Sequence, residues 1–275
     1  MNRGFILFVQ KNNTSDYLKQ AVACSLSIKK FMPDDQICLM TDIDVPENYK
    51  KHFDHIQDIP GLDLAVDSEW KVNNRCKIYR NSPFEQSIVL DVDMLLLENI
   101  EHWWDQLSKY ELYYTDKVKT YRNEWVSDDY YRKVFVENSL PNVYCGFHYF
   151  KKCKNNKVFF DLLTDIVVNY EQYSNRFTKN RTQSWCSMDV ATAIAIKLLG
   201  IQHKVFSKHS NLTFTHMKPR IQNYKSELNL WTEQIDYNLN SQSELFVGNI
   251  KQKGLFHYVE DNFLTDNMLE QLKCI

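Results

Sequence analysis

Long apolar segments are absent from this 275-residue chain. No run of eighteen or more uncharged apolar residues occurs, although a membrane-spanning helix needs about that length. The first nine residues lack a small-residue cleavage site and are followed by the polar Gln10-Lys11-Asn12, which is not the pattern of a signal peptide. We therefore expect a soluble, cytoplasmic protein with no membrane partner.

Cysteine pairs and glycine-rich signatures are missing as well. The seven cysteines are scattered and odd in number, and none belongs to a CxxC pair, which argues against a disulfide framework and a zinc knuckle. We expect reduced thiols. The six glycines form no GxGxxG, GxxxxGK[ST] or GxSxG signature, and no HExxH is present. The enzyme classes that carry these signatures are therefore excluded.

The chain contains no internal repeat, low-complexity tract or Pro/Gly-rich linker. Its length, with 44% hydrophobic residues, is enough to bury one full-sized core. Sixteen Tyr and sixteen Phe are expected to fill that core and any cleft. The formal net charge of −2 does not exclude a polyanionic partner, because a local basic face suffices to bind phosphates.

Hydrophobic periodicity predicts an α/β fold. An apolar strand over 4–9, a helix over 15–31 capped by Ser15 or Thr14, and a strand over 36–42 open the chain as β-α-β, which implies a parallel sheet. Residues 43–68 look irregular. Further helices are predicted over 70–79, 100–107, 158–173 and 188–199, and further strands over 87–93, 111–115, 144–150, 202–206, 212–215 and 254–258.

The predicted strand over 87–93 ends in two acids, Asp91 and Asp93. Ligands of open α/β sheets gather at the carboxyl ends of strands. Carboxylates there can hold Mn²⁺ or Mg²⁺, and such an ion can bridge to a diphosphate. Alone, this pair could equally be a turn or a solvated pair.

Three cations precede the acids on the predicted helix, where residues four apart share a face. Lys77 is the first candidate for contact with diphosphate oxygens, Arg75 the second, and Lys71 the third. The alternative is a solvated basic face.

The segment over 75–97 resembles the heart of GT-A glycosyltransferases, notably family eight and its viral and bacterial relatives. There, a basic residue and a helix precede a Pro-hydrophobic turn, a strand and Asp-x-Asp. The resemblance extends over roughly 4–260. It implies one Rossmann-like GT-A domain over 1–275, in which 1–100 bind the nucleotide and 101–275 the acceptor. It also implies metal-dependent transfer of a hexose or pentose from a nucleotide-sugar, with a UDP-sugar as the expected donor.

The same resemblance implies roles for residues outside that segment. The first strand and its loop would hold the base and ribose, with candidates Phe8, Val9, Gln10 and Asn12. The block 142–150 would carry a small residue beside the sugar pocket. Asp189, at the start of a helix, would contact the donor sugar or the acceptor, although an acid there also suits the helix dipole.

A histidine in a late strand completes the metal site of this family. His257 lies in such a strand and is preferred, but the Gly and Lys-Pro that follow in the family are replaced by Val259-Glu260-Asp261-Asn262. That replacement puts a phosphate contact from this loop in doubt. His216 is followed by Lys218-Pro219 but lies earlier than expected. Either histidine could instead be structural.

The sequence says little directly about the acceptor. Cations and aromatics interleave over 117–125, 175–185 and 204–225, which suits nucleic acid but also stacked sugars or solvated loops. The compact chain resembles bacteriophage members of the superfamily, some of which glycosylate hydroxymethylated pyrimidines in DNA, and such a base would be flipped into the cleft. A glycan or lipopolysaccharide acceptor is the alternative.

Two rival classes remain open. A nucleotidyltransferase also uses strand-borne carboxylates and a metal, but usually has a Gly-rich loop near the first strand, and residues 10–14 contain no glycine. A catalytically silent binding module would not need Asp91 and Asp93 together. Retaining and inverting stereochemistry also stay open, because Asp189 could serve either scheme.

Overall fold

The computed structural model describes residues 2–66, 68, 71–126, 132–179, 185–206, 211–218, 230–240 and 242–273. The strands are β1 (Arg3–Val9), β2 (Gln36–Thr41), β3 (His55–Asp58), β4 (Gln86–Leu90), β5 (Met94–Leu96), β6 (Leu112–Thr115), β7 (Tyr144–Lys151), β8 (Phe214–His216), β9 (Tyr237–Leu239), β10 (Leu245–Val247), β11 (Ile250–Lys251) and β12 (Leu255–His257). The α-helices are α1 (Tyr17–Phe31), α2 (Glu47–Lys50), α3 (Ile78–Asn81), α4 (Glu101–Leu107), α5 (Lys133–Glu137), α6 (Lys154–Val168), α7 (Tyr170–Phe177), α8 (Met188–Leu199), α9 (Gln202–Val205) and α10 (Asp266–Lys273).

A six-stranded sheet forms the centre, in the order β3-β2-β1-β4-β7-β6. β1 is parallel to β2 and β4, and β2 is parallel to β3. β7 is antiparallel to both of its neighbours, so it alone runs against the other strands of this sheet. The prediction of a mostly parallel central sheet in an α/β fold is confirmed.

Apolar cores cover both faces of this sheet. In β1, Phe5 and Leu7 belong to the core that includes residues of α1, α4 and α10, whereas Ile6 belongs to the core formed with α6 and α8. This alternation follows from the two-residue period of a strand. No helix of the described residues has the length and apolar character to cross a membrane.

The chain changes sheets at its acidic motif. β4 ends at Leu90, and β5 begins at Met94 in a second sheet of order β5-β12-β8. The predicted single strand over 87–93 is therefore wrong at its end. Asp91-Val92-Asp93 forms the link between the two sheets, beyond the carboxyl end of β4.

Several other predicted elements differ in the structure. The strand predicted over 202–206 is the helix α9, because the left-handed Gly200 ends α8 and a helical turn then buries Val205. Asn169 divides the helix predicted over 158–173 into α6 and α7. The helix predicted over 70–79 is a 3-10 helix, Asn73–Lys77, followed by α3, and Trp70 lies outside the described residues. β3 and β9–β11 lie in stretches where no strand was predicted.

The start of α1 also differs from the prediction. Asp16 is the N-cap, and its carboxylate accepts a hydrogen bond of 3.0 Å from the backbone N–H of Lys19. Ser15 instead donates to Asp261. The capping residue therefore follows the predicted Thr14 and Ser15 by one or two positions.

Candidate active site

Two carboxylates and one imidazole converge at the link between the sheets. Asp91, Asp93 and His257 each offer one ligand atom, and these atoms all lie within 4.8 Å of one another. His257 Nε2 is 2.8 Å from Asp93 Oδ2 and 3.9 Å from Asp91 Oδ2. We call these residues the acidic trio.

Strand pairing explains this convergence. β12 is antiparallel to β5, with His257 opposite Met94, the residue after Asp93. The N–H of Tyr258 donates to the carbonyl of Asp93 at 3.0 Å. The N–H of Asp91 donates to the carbonyl of Gly146 in β7 at 2.8 Å. Backbone hydrogen bonds therefore hold both acids and place the histidine beside them.

Gly146 leaves room for Asp91. A Cβ atom at this position would lie 2.9 Å from Asp91 Oδ2 and 2.9 Å from Met94 Cε. Distances this short require one of these groups to move. The predicted small residue of the block 142–150 therefore lies directly against one acid of the trio.

Of the three predicted cations, Arg75 lies beside the trio. Its Nη2 is 2.5 Å from Asp91 Oδ1, and its side chain is 13% exposed. Burial disfavours the charge, but the surrounding groups, Asp91 first and Asp189 with it, together outweigh burial and raise the pKa of Arg75. Lys77, the first candidate, donates instead to the carbonyl of Leu62 and does not line the cavities described below. The 3-10 geometry of Asn73–Lys77 replaces the helical face on which these cations were expected to align.

Opposite charges interact between Asp93 and His257. Burial alone would raise the pKa of Asp93, but the charge and hydrogen bond of His257 and the charge of Arg75 hold it below its usual range. Burial lowers the pKa of His257, yet the attraction of Asp93 and Asp91 outweighs burial and the pKa is raised. A positive charge is therefore favoured between these carboxylates.

The second histidine, His216, lies behind His257. The parallel pairing of β8 and β12 places the two residues opposite each other, and their rings stack with centroids 4.6 Å apart and an angle of 21°. Burial and the neighbouring charges of His257 and Lys218 lower the pKa of His216 well below its usual value. His216 therefore supports the ring of His257 as a neutral group.

A cavity of about 720 Å³ opens at the trio. The predicted residues Phe8, Gln10 and Arg75 line it together with the three residues of the trio. Asn12 lines a neighbouring polar pocket that shares Gln10 with this cavity. Val9 is fully buried in the core and does not line the cavity.

A smaller cavity of about 280 Å³ shares Arg75, Asp91 and His257 with the larger one and also contains Asp189. Asp189 Oδ2 is 2.8 Å from Arg132 Nη1, and Asp189 Oδ1 accepts a hydrogen bond of 2.9 Å from the N–H of Cys145. Burial opposes its charge, but these partners hold the pKa of Asp189 below its usual range. Asp189 is therefore an ionised, firmly held acceptor.

Sequence reasoning missed three residues at these cavities. Lys218 and Trp185 line both, and Arg132 lines the smaller one. The sequence indicates Lys218 as a neighbour of His216 and as part of the basic segment 204–225, but it does not place this lysine at the donor site. The pairing of β8 with β12 would have located it, but that pairing joins strands distant in sequence.

The trio suits a divalent cation. Carboxylate oxygens are the ligands that Mg²⁺ and Mn²⁺ prefer, and imidazole nitrogen is compatible with Mn²⁺. Nε2 of His257 faces the carboxylates, whereas its Nδ1 is buried and has no hydrogen-bond partner among the described residues. The donor atoms that face one another are those that a metal requires.

Comparison with known proteins identifies the fold. No protein-family model matches the chain, and no curated protein matches its sequence. Among solved structures, it is similar to the galactosyltransferase LgtC in complex with donor and acceptor sugar analogues, with a TM-score of 0.58 and 13% identity over 99% of this chain and 96% of that one.

Two further structures are similar. The glycosyltransferase GlyE of Streptococcus pneumoniae TIGR4 has a TM-score of 0.51 and 12% identity over 94% of this chain and 55% of that one. Mouse xyloside xylosyltransferase 1 has a TM-score of 0.51 and 9% identity over 94% of this chain and 97% of that one. With the observed sheet, these likenesses show that the chain has the GT-A fold.

The trio predicts different roles for the two histidines. We expect His257→Ala to weaken Mn²⁺ binding by more than about tenfold, since even the loss of outer-shell partners costs about 10–100-fold. His216→Phe preserves a stacked ring and should retain most of the affinity. Titration calorimetry with MnCl₂ measures both. An unchanged Mn²⁺ affinity in His257→Ala would show that His257 is not a ligand, and equal losses in the two variants would show that the histidines do not differ in role.

Proposed function

We propose that this GT-A chain is a metal-dependent glycosyltransferase that moves a sugar from a nucleotide-sugar, with a UDP-sugar as the expected donor, to an acceptor hydroxyl. The observation that carries the proposal is the acidic trio, placed where two cavities meet. One cavity has room for a nucleotide, and the other contains an ionised carboxylate suited to sugar hydroxyls.

The metal would be Mn²⁺ or Mg²⁺, held by Asp91, Asp93 and His257. When bound, it would supply positive charge that stabilises the departing diphosphate. Arg75 keeps Asp91 oriented through their ion pair, and Gly146 leaves the space that this carboxylate occupies. These residues fix the ligand atoms before the donor enters, so little reorganisation is needed.

The nucleotide would occupy the larger cavity. Phe8 lines the wall beside Gln10 and offers an aromatic surface for a base. Gln10 and Asn12 line the adjoining polar pocket, where amides can bond the base and ribose. This arrangement supports a nucleotide-binding role for 1–100. Asp189 lies beyond that range, which supports a sugar-facing role for 101–275, although Lys218 and His257 of the same range would contact the diphosphate and the metal.

Lys218 would contact the diphosphate. It lines both cavities, and its charge influences the pKa values of His257 and Asp189. Arg75 and Arg132 hold carboxylates, so these two guanidiniums already balance part of the negative charge of the protein. An ammonium at the junction of the cavities is suited to the oxygens of the leaving group.

Asp189 would orient the sugar. Arg132 and the N–H of Cys145 fix its carboxylate, while 27% of the side chain stays exposed. An ionised carboxylate accepts hydrogen bonds from sugar hydroxyls. Trp185 lines the same cavity and offers an apolar surface to a sugar ring.

Donor consumption tests the proposal. We expect a panel of nucleotide-sugars, incubated with Mn²⁺, to contain at least one that the wild-type protein hydrolyses slowly. Asp93→Asn should abolish that hydrolysis because it removes a ligand charge, and Asp105→Asn, an exposed acid on α4, should leave it unchanged. Liquid chromatography of the nucleotide products measures the rates. Activity retained by Asp93→Asn would contradict the proposal.

Lys218 provides a separate prediction. Lys218→Met should weaken UDP binding in the presence of Mn²⁺ by roughly tenfold or more, because a hydrogen bond to a charged group contributes about 1.5–3 kcal/mol. Its Mn²⁺ affinity should change little. Lys204→Met, which removes an exposed lysine of α9, is the control. Calorimetric titration of UDP into the Mn²⁺-saturated proteins gives the affinities, and unchanged UDP binding would exclude the phosphate contact.

The proposed DNA acceptor is based on cations and aromatic rings that share one surface. Lys119 Nζ lies 5.0 Å from the ring centre of Trp125, whose residue is 52% exposed. Arg122 stacks on Tyr121 at 4.4 Å. The N–H of Lys119 donates to Phe214, and its carbonyl accepts from His216, so this basic-aromatic surface extends the sheet that carries His257. We propose a hydroxymethylated pyrimidine of duplex DNA as the acceptor.

The other two basic-aromatic segments, 175–185 and 204–225, lie only partly within the described residues. In the segment 175–185, Arg176 lies 6.0 Å from the ring of Phe177, but residues 180–184 lie outside the described residues. Lys208, His209, Arg220 and Lys225 of the segment 204–225 also lie outside them. The DNA proposal therefore rests on the basic-aromatic surface over 117–125.

Salt dependence tests this acceptor. Combined replacement of Lys117, Lys119 and Arg122 by Ala should weaken duplex binding and reduce the slope of log K against log salt by roughly 0.9 for each phosphate that is no longer neutralised. Donor hydrolysis should persist. Replacement of the exposed Lys51, Lys109 and Lys154 is the matched control. Fluorescence anisotropy with hydroxymethylated duplexes measures binding, and no binding at low salt would leave the glycan as the acceptor.

A further inference from the structure

Val259 has an unfavourable backbone conformation beside the trio. Its φ is +68°, in the left-handed region. Five described non-glycine residues have a positive φ, and Val259 is the β-branched member of this group. Branching at Cβ makes this conformation a true outlier, because the side chain crowds the backbone carbonyl.

The neighbours of Val259 are all held by other parts of the fold. Before it, the carbonyl of Tyr258 accepts from Trp231 Nε1 at 2.8 Å, and the N–H of Tyr258 is paired with Asp93. After it, the carboxylate of Glu260 accepts from the N–H groups of Trp231 and Thr232. Asp261 accepts from Ser15 and Gln20. The strain is therefore maintained by contacts on both sides.

Glycine would satisfy the same backbone without strain, since it populates a positive φ freely. The contacts that hold this loop belong to the neighbouring residues. The backbone conformation at position 259 therefore gives no reason for a valine side chain. A strained residue at a site points to a function, and here the valine side chain is the feature that such a function would explain.

The surroundings indicate that role. Val259 is two residues from His257 and lines the larger cavity, as do Val92 and Leu230. These three apolar side chains belong to the wall of a cavity that also contains Asp91 and Asp93. An apolar wall beside a charged centre excludes water and strengthens the electrostatic interactions there.

We infer that Val259 is a specificity-determining residue that favours the acceptor hydroxyl over water. The inference rests on the proposed transferase function. In the side reaction, a water oxygen bonds to the anomeric carbon, and the bond from that carbon to the β-phosphate oxygen breaks. Its electron pair leaves with the diphosphate, and the water loses a proton to the medium. Val259 limits this reaction by restricting the access of water.

The experiment compares variants that relieve the strain with one that keeps it. Val259→Gly and Val259→Asn both tolerate the left-handed region and both remove the branched apolar side chain. Val259→Ile keeps the branched apolar side chain and the strain. Ser139→Gly relieves a positive φ of +50° at a residue that does not line the two cavities, and serves as the control.

Thermal stability and the rate of donor hydrolysis are both expected to rise in the variants that relieve the strain. Val259→Gly and Val259→Asn should raise Tm in thermal unfolding, which requires no donor. With Mn²⁺ and the donor found in the panel, they should also hydrolyse it several-fold faster than wild type. Val259→Ile, which keeps both the strain and the apolar wall, should raise neither Tm nor the rate of hydrolysis. Ser139→Gly should leave hydrolysis unchanged.

The failures are distinguishable. If wild type hydrolyses no nucleotide-sugar, the proposed function fails, and this inference fails with it. If wild type hydrolyses a donor but the Gly and Asn variants are no faster, Val259 does not exclude water and the inference alone is overturned. An unchanged or lower Tm in both variants would show that the valine is not strained, which also overturns the inference.

Discussion

The antiparallel pairing of β12 with β5 is the constraint on which the candidate site depends. It places His257 next to Asp93 although 164 residues separate them in the chain. β5 follows the acidic motif directly, and β4 precedes it, so the two sheets hold the motif from both ends. A shift of this pairing by one residue would turn the imidazole to the other face of β12. The relative placement of the three residues of the trio is therefore fixed by backbone hydrogen bonds.

Charge balance organises the cavities around this pairing. Arg75 is held on Asp91 and Arg132 on Asp189, and each pair is largely buried. Leaving one partner of such a pair alone would be costly, because the remaining charge would be desolvated and uncompensated. The guanidiniums therefore act first on the protein's own carboxylates. Asp189 stays ionised, and both carboxylates are held in a fixed orientation.

Local patterns in the sequence predicted much of the fold but not the pairing between distant parts. β1, α1, β2 and the strand before Asp91 were predicted because each has a clear apolar period. The end of β4 was misplaced because Val92 continues the apolar pattern after the chain has left the sheet. Lys77 was preferred to Arg75 on the assumption of a regular helix. The 3-10 turns give these cations different directions, and nothing local in the sequence showed this. The residues of α9 have a spacing that fits either a strand or a helix, and the end of α8 at Gly200 decides between them.

Lys218 and Val259 lie where they do because β8 and β12 are parallel and in register. His216 and His257 stand opposite each other, so the residues that follow them leave the sheet at the same edge. Lys218 follows His216 by two residues, and Val259 follows His257 by two. The segment after His257 turns the carboxylate of Glu260 inward to cap Trp231 and Thr232, and it has no cation between Val259 and Asn262. The described residues after β8 include one cation, Lys218. A cation that is absent after β12 can thus be supplied after its parallel neighbour, β8. The loop after β12 then forms the apolar and structural side of the cavity.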